Sequence, residues 1–268
     1  MKKFIKRVLI VLILFVAALG LYQANKTFNF ISFLDFRKRE EKTDDYNILT
    51  NNLEKEAQNN QQAKWLLDNF DSLTRLEQNL IGNDADTVEF VYNYENNIKD
   101  FAYEEGVSKD YGRLTPYYLQ WDNRWAYRPL GSSNIGFAGC GPTSMAMVLA
   151  RLGNNSSITP LTVAEDAHSY MGEKGISWKF FTDEAYKYGR SIDNIPLDEE
   201  YMINALDQGP LIVSVGPGYF TLAGHILVID SYKNGKFIIN DPNSLKNSEK
   251  TWTFDQIEDQ IANIWLIY

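Results

Sequence analysis

Two apolar runs around an Asn-Gly pair constrain this chain more than any other stretch. HILVIDSY (His225–Tyr232) and KFIIND (Lys236–Asp241) are separated only by Lys233, Asn234 and Gly235. Runs rich in Ile, Val, Phe and Tyr favour strands, and Asn-Gly between two of them is a strong hairpin signal. PLIVSV at 210–215 supplies another strand. Ahead of these the periodicity is helical. A helix is expected from Pro142, where a missing N–H costs nothing, to about Gly153, with Met145, Val148 and Leu149 on one side. Further helices are expected at Thr162–Met171, Trp178–Tyr188 and Glu199–Gln208, the last stopped by Gly209-Pro210. Helix first and antiparallel strands afterwards is an α+β layout.

The N-terminal part has a different character. Val8–Tyr22 is an uncharged apolar run behind Lys2, Lys3, Lys6 and Arg7, which marks a segment that meets a membrane. Its fifteen residues span about 22 Å as a helix, short for a crossing and suited to a signal-peptide core. Ala18-Leu19-Gly20 would serve as a cleavage site, and an uncleaved signal-anchor is the alternative. In either case the basic cluster stays inside and the body is exported. Asn25–Asp45 then reads as a solvated linker, and Asn47–Asn97 as several short helices. Leu66, Phe70, Leu73 and Leu80 fall on one helical face, and Asp86 or Thr87 would cap a last helix carrying Val88, Val91 and Tyr92. The expected division is residues 1–27 as signal or anchor, 28–110 as linker and short helices, and 111–268 as the main domain. Whether 28–110 inhibits the main domain or merely packs on it is left open. The formal charge is -9, leaving -13 on the rest once those four N-terminal cations are set aside. So acidic a body argues against nucleic acid as the partner, because no basic patch would neutralise phosphates.

An exported chain with one cysteine cannot make an internal disulfide, so Cys140 calls for another account. It stands at the expected helix start, where unpaired N–H groups and the helix dipole favour a thiolate. Gly139 and Gly141 read as clearance for a substrate. The alternative is a buried thiol acting as a small hydrophobe. A nucleophilic thiol needs a base, and the chain has two histidines. His168, in AEDAHSYMGE, reads as an exposed helix-face residue. His225 opens the strand GHILVID after a glycine and suits a site better.

Asp241 is placed by register. With a two-residue loop it would lie opposite Val228 and on the wrong face. With a three-residue loop (Lys233-Asn234-Gly235) it lies opposite Leu227, a diagonal neighbour of His225 about 7–8 Å away between Cβ atoms. The three-residue loop is therefore the expectation, with Asp241 fixing the imidazole's tautomer. The alternative is that Asp241-Pro242-Asn243 is only a turn.

With Cys140, His225 and Asp241 in that order, the chain resembles a papain-like cysteine peptidase. More narrowly, it is similar to cysteine peptidase family 39, related to the bacteriocin-processing double-glycine leader peptidases. The stretches that carry the likeness are LQWDNRWAYRPLG, GCGPTSMAMVL, TLAGHILVID and INDPN. FVYNYENN, SVGPGYF and NSEKTWTF also resemble extracellular or membrane-anchored members from Gram-positive bacteria. The resemblance implies a papain-like fold in which the nucleophile's helix packs on an antiparallel sheet. It also implies an oxyanion-hole glutamine upstream of the cysteine. Gln120 is the candidate, twenty residues before Cys140 and farther away than in the leader peptidases. The alternative is that Gln120-Trp121-Asp122 caps an aromatic cluster with Trp125 and Tyr127. Leader peptidases are fused to an ATP-driven exporter, whereas this chain has no GxxxxGK[ST] loop.

The expected function is hydrolysis of a peptide bond through a thiolate and an acyl-enzyme, with a peptide or protein as substrate. The membrane would be a partner through an uncleaved N-terminal helix, and the protein would lie on the outer face of the cell membrane or be secreted. No cofactor is expected, and two distant histidines with one cysteine form no zinc pattern. The alternatives are a silent peptide-binding module of the same fold, or an amidase or endopeptidase acting on cell-wall peptides.

Overall fold

Why the C-terminal half becomes a sheet is visible strand by strand in the computed structural model, which describes Leu19, Gly20, Gln23 and residues 41–268. Six strands form one antiparallel sheet: β1 (Ile192–Asn194), β2 (Leu211–Val215), β3 (His225–Lys233), β4 (Lys236–Asn240), β5 (Thr251–Trp252) and β6 (Ile261–Ile267). Their order across the sheet is β1-β6-β2-β3-β4-β5. Alternation sorts the side chains. Ile212, Ile226, Val228, Trp265 and Ile267 enter a core shared with the central helix, while Leu211, Val213, Leu227, Ile229 and Ile264 enter a second core on the opposite face. With both faces covered, β2 is buried along its whole length and β3 over its first six residues, hence their almost continuous apolar character.

Among the described residues, eight helices of seven or more residues accompany the sheet: α1 (Tyr46–Ala57), α2 (Gln61–Asp68), α3 (Arg75–Asn83), α4 (Val88–Glu95), α5 (Cys140–Gly153), α6 (Pro160–Ala167), α7 (Lys179–Lys187) and α8 (Glu199–Ala205). The expected boundaries after residue 140 hold to within a few residues. Between α2 and α3 the single expected face breaks up. Phe70 sits in a short 3-10 turn and Leu73 outside any helix, while Leu66, Phe70 and Leu73 are all buried. The cause is the capping box of α3, in which the Glu77 carboxylate accepts from the Thr74 backbone N–H at 2.7 Å. Nor does Asp86 or Thr87 cap α4 through its side chain. Asp84 instead caps the 3-10 turn Ala85–Thr87 that leads into it.

The hairpin corrects the sequence-based reading in an instructive way. Its loop has two residues, since Lys233 pairs with Lys236. Asn234 and Gly235 both take positive φ (54° and 76°), as a type I′ turn requires. The register then shifts between Ile229 and Ser231, so Val228 pairs with Asn240 and the next position along places Asp241 opposite Leu227. A β-bulge at Asp230 thus supplies the extra residue that the loop was expected to supply. Asp230 is buried, and its Oδ1 accepts from the Thr115 N–H (3.0 Å) and from Arg151 Nη1 (3.4 Å).

Residues Lys42–Tyr268 form one compact unit. Within it α1–α4 build a small core of their own (Leu49, Leu53, Leu66, Phe70, Phe90, Val91) that also takes in Ala126. The other unit, Met1–Glu41, contributes only four described residues. The expected membrane segment at 1–27 lies almost wholly outside the described residues. Among those described, no helix is long and apolar enough to cross a membrane.

Candidate active site

The helix α5 starts at Cys140, with Gly139 as its cap residue. The first N–H groups of a helix lack intrahelical partners, so the sulfur sits where anionic charge is favoured. The N–H groups of Gly141 and Ile226 donate towards that sulfur, and His225 bonds it through its side chain. His225 Nε2 lies 2.7 Å from Asp241 Oδ1, which leaves Nδ1 as the ring nitrogen for the thiol. Asp241 is wholly buried and His225 nearly so, while Cys140 is partly exposed.

Asp241 is held from several sides. Its carboxylate accepts from the Asn243 backbone N–H (2.9 Å) and from Asn247 Nδ2 (2.9 Å). Its own N–H donates to Ser248 Oγ (2.9 Å), and its carbonyl accepts from Tyr117 Oη (2.8 Å). Asn247, Ser248 and Tyr117 are supporting residues that the sequence reading missed. The only local signal was Ser244 with Asn247 three positions on, a helix-cap spacing, and Ser244 does cap the short helix Leu245–Glu249.

Burial alone would push the Cys140 thiol up. The bond and charge of His225, with the two backbone N–H groups, outweigh it and hold the thiol below its ordinary value. Burial would likewise depress His225, yet the Asp241 carboxylate and the Cys140 sulfur raise it to about 10. Burial would raise Asp241, and His225 together with Asn247 and Asn243 lowers it instead. Thiolate and imidazolium are thus each favoured by the other.

Gln120 is buried, and its backbone N–H donates to the Pro242 carbonyl (2.8 Å), tying it to the loop that carries Asp241. Its side-chain Nε2 donates to the Gly136 carbonyl (2.8 Å), which orients the amide and leaves one N–H over. Gln120, Cys140 and His225 line one cleft of about 270 Å³. All four residues expected in the site are therefore brought together. His168 stands apart, exposed, accepting from the Gly131 N–H at 3.3 Å.

The two glycines beside the cysteine have a different reason from the expected one. A Cβ on Gly139 would lie 2.3 Å from the Ile135 carbonyl oxygen, and one on Gly141 would lie 2.9 Å from Ile176 Cγ2. They admit the protein's own chain rather than a substrate. Gly139→Ala is accordingly expected to destabilise the fold by about 1–3 kcal/mol, the usual cost of overpacking, read by urea denaturation. An unchanged midpoint would restore the substrate-clearance reading.

Solved structures resemble this chain, three peptidases among them. The peptidase domain of Streptococcus ComA, a bi-functional ABC transporter involved in quorum sensing, is 20% identical, with 53% of this chain and 96% of that one covered and a TM-score of 0.39. A double glycine motif protease from an AMS/PCAT transporter, in complex with the leader peptide, is 14% identical (61% and 97% covered, TM-score 0.36). A C39-like peptidase from Bacillus anthracis is 15% identical (62% and 98% covered, TM-score 0.37). Among curated proteins none matches. The model of the Peptidase_C39 like family matches residues 114–268, more than half of the sequence and the whole of the sheet that holds His225 and Asp241, so the chain belongs to that family.

Proposed function

We propose that this chain is a cysteine peptidase, exported and held at or released from the outer face of the membrane. One observation carries the enzymatic reading. The hydrogen-bonded line Cys140–His225–Asp241 ends in a partly exposed sulfur whose cleft also holds an oriented glutamine amide. The Cys140 thiolate attacks the carbonyl carbon of a peptide bond. The Cys140 N–H and the spare Gln120 N–H hold the oxyanion, each donor contributing about 3–4 kcal/mol. Imidazolium His225 gives its Nδ1 proton to the departing amine as the C–N bond breaks, leaving a thioester. Neutral His225 then takes a proton from water, which attacks the thioester and releases the acid and the thiolate, regenerating imidazolium. Asp241 keeps Nε2 protonated and stabilises the cation throughout. Export is supported by the basic cluster Lys2–Arg7 ahead of the apolar run 8–22.

The test is digestion of a random octapeptide library, read by mass spectrometry for new termini. The native protein is expected to produce them and Cys140→Ala to produce none. Identical product sets from the two proteins would overturn the reading and favour a silent binding module.

A further inference from the structure

The cleft at Cys140 has a wall that lies outside the family match. That match begins at residue 114, yet Leu76, Asn79, Leu80 and Asn83 line the same cavity as Cys140 and His225. Their spacing is i, i+3, i+4, i+7, one stripe along α3. The opposite side of the helix faces inward, where Glu77, Gln78, Ile81 and Gly82 are buried. A Cβ on Gly82 would lie 2.8 Å from the Leu49 Cα, so α3 sits tightly on α1. Asn83 anchors its end, accepting from the Thr43 N–H (2.8 Å) and donating to the Thr43 carbonyl (2.7 Å). Leu76 nevertheless remains 53% exposed on this firmly held helix.

Polar atoms of the cavity carry a second signal. Asn79 Oδ1, Gln120 Oε1 and Asn243 Oδ1 are buried without hydrogen-bond partners, and all three residues line the cavity. The Gln120 side chain is among the most enclosed, its residue only 4% exposed. Buried acceptors left unpaired are costly, so a ligand that satisfies them must bring donors. A carboxylate or phosphate brings only acceptors. An extended peptide brings backbone N–H groups at regular intervals, and beside these acceptors Leu76 and Leu80 offer apolar surface, with Lys42 also on the cavity wall.

We infer that α3 determines specificity: the cleft takes an extended peptide whose bulky apolar side chain, within two residues of the scissile bond, packs on Leu76 and Leu80 while Asn79 and Asn243 accept its backbone N–H groups. This rests on the peptidase reading of Cys140 and adds the substrate class to it. A glycine at that position leaves the stripe in water and loses the contact that an apolar pocket discriminates by, about tenfold to a hundredfold in rate.

The octapeptide library tests it with full-length native, Leu76→Ser and Asn79→Ala proteins. Leu76 is exposed, so its replacement leaves the packed side of α3 intact. Native cleavage sites are expected to be enriched about tenfold or more in Leu, Ile, Met or Phe at one position within two residues of the cut. Leu76→Ser should erase most of that enrichment, and Asn79→Ala should slow cleavage of all peptides alike. Cys140-dependent cleavage without apolar enrichment, or with enrichment untouched in Leu76→Ser, overturns the inference and leaves the peptidase reading standing. Absence of any Cys140-dependent cleavage removes both.

Discussion

A His225→Ala protein is expected to react with iodoacetamide at Cys140, at neutral pH, on the order of ten- to a hundredfold more slowly than the native chain. The effect follows from what remains when the imidazole is gone. Burial pushes the thiol up, and His225 provides the bond and the charge that oppose it. The N–H groups of Gly141 and Ile226 still favour a thiolate, so reactivity should fall without vanishing. His168→Ala supplies the control, since that side chain is exposed and bonded to Gly131 outside the cleft. Intact-mass kinetics read both variants directly, because Cys140 is the single cysteine in the sequence. Equal rates for native and His225→Ala proteins would show that the histidine does not activate the sulfur.

The second large effect concerns stability. Asp241→Ala should cost about 3–5 kcal/mol in chemical denaturation, the range for removing one partner of a buried ion pair. The substitution strands more than His225. Asn247 Nδ2 and the Asn243 N–H, both bonded to this carboxylate at 2.9 Å, lose their acceptor as well. The pair also gives stability a pH signature. His225 has a raised pKa, so its contribution is complete below its ordinary 6.5 and is lost as pH rises towards about 10. Asp241 has a lowered pKa, so its contribution is complete above its ordinary 3.8 and is lost as pH falls. The stability gap between native and Asp241→Ala proteins should therefore be widest between these two ordinary values and narrow towards pH 10. A gap that widens with alkalinity would contradict the charge assignment.

Much of this molecule is legible in its sequence. The helix at Cys140, the strand opened by His225 and the α+β order rest on local periodicity, which tertiary packing here reinforces. The opposition of Asp241 and Leu227 was also anticipated, although through a loop residue rather than the bulge at Asp230. An aspartate inside an apolar strand gives no local sign that it will bulge. Its reason lies in Thr115 and Arg151, both more than seventy positions away. The need for Gly141 has a similar cause, because its neighbour Ile176 is brought there by the fold, whereas the neighbour of Gly139 is Ile135, four residues back in the chain. The break before α3 could have been seen, since Thr74-Arg75-Leu76-Glu77 is a capping-box pattern. That α3 would then reach the cleft of Cys140 depends on contacts between distant segments, which no local pattern encodes.

The bulge in β3 makes the hairpin a two-phase object. Its tip obeys the preference of Asn234-Gly235 for a two-residue turn, while its base obeys the geometry that puts an acid beside an imidazole. One supernumerary residue reconciles these demands, so turn length can change along a lineage without moving the acid, provided the bulge compensates. A relative that gained a residue in the turn and lost one at the bulge would present the same acid to the same base. Aligning such hairpins by their loops would misplace the acid by one position. The sum of turn and bulge residues, rather than either alone, is the quantity that ancestry has to conserve.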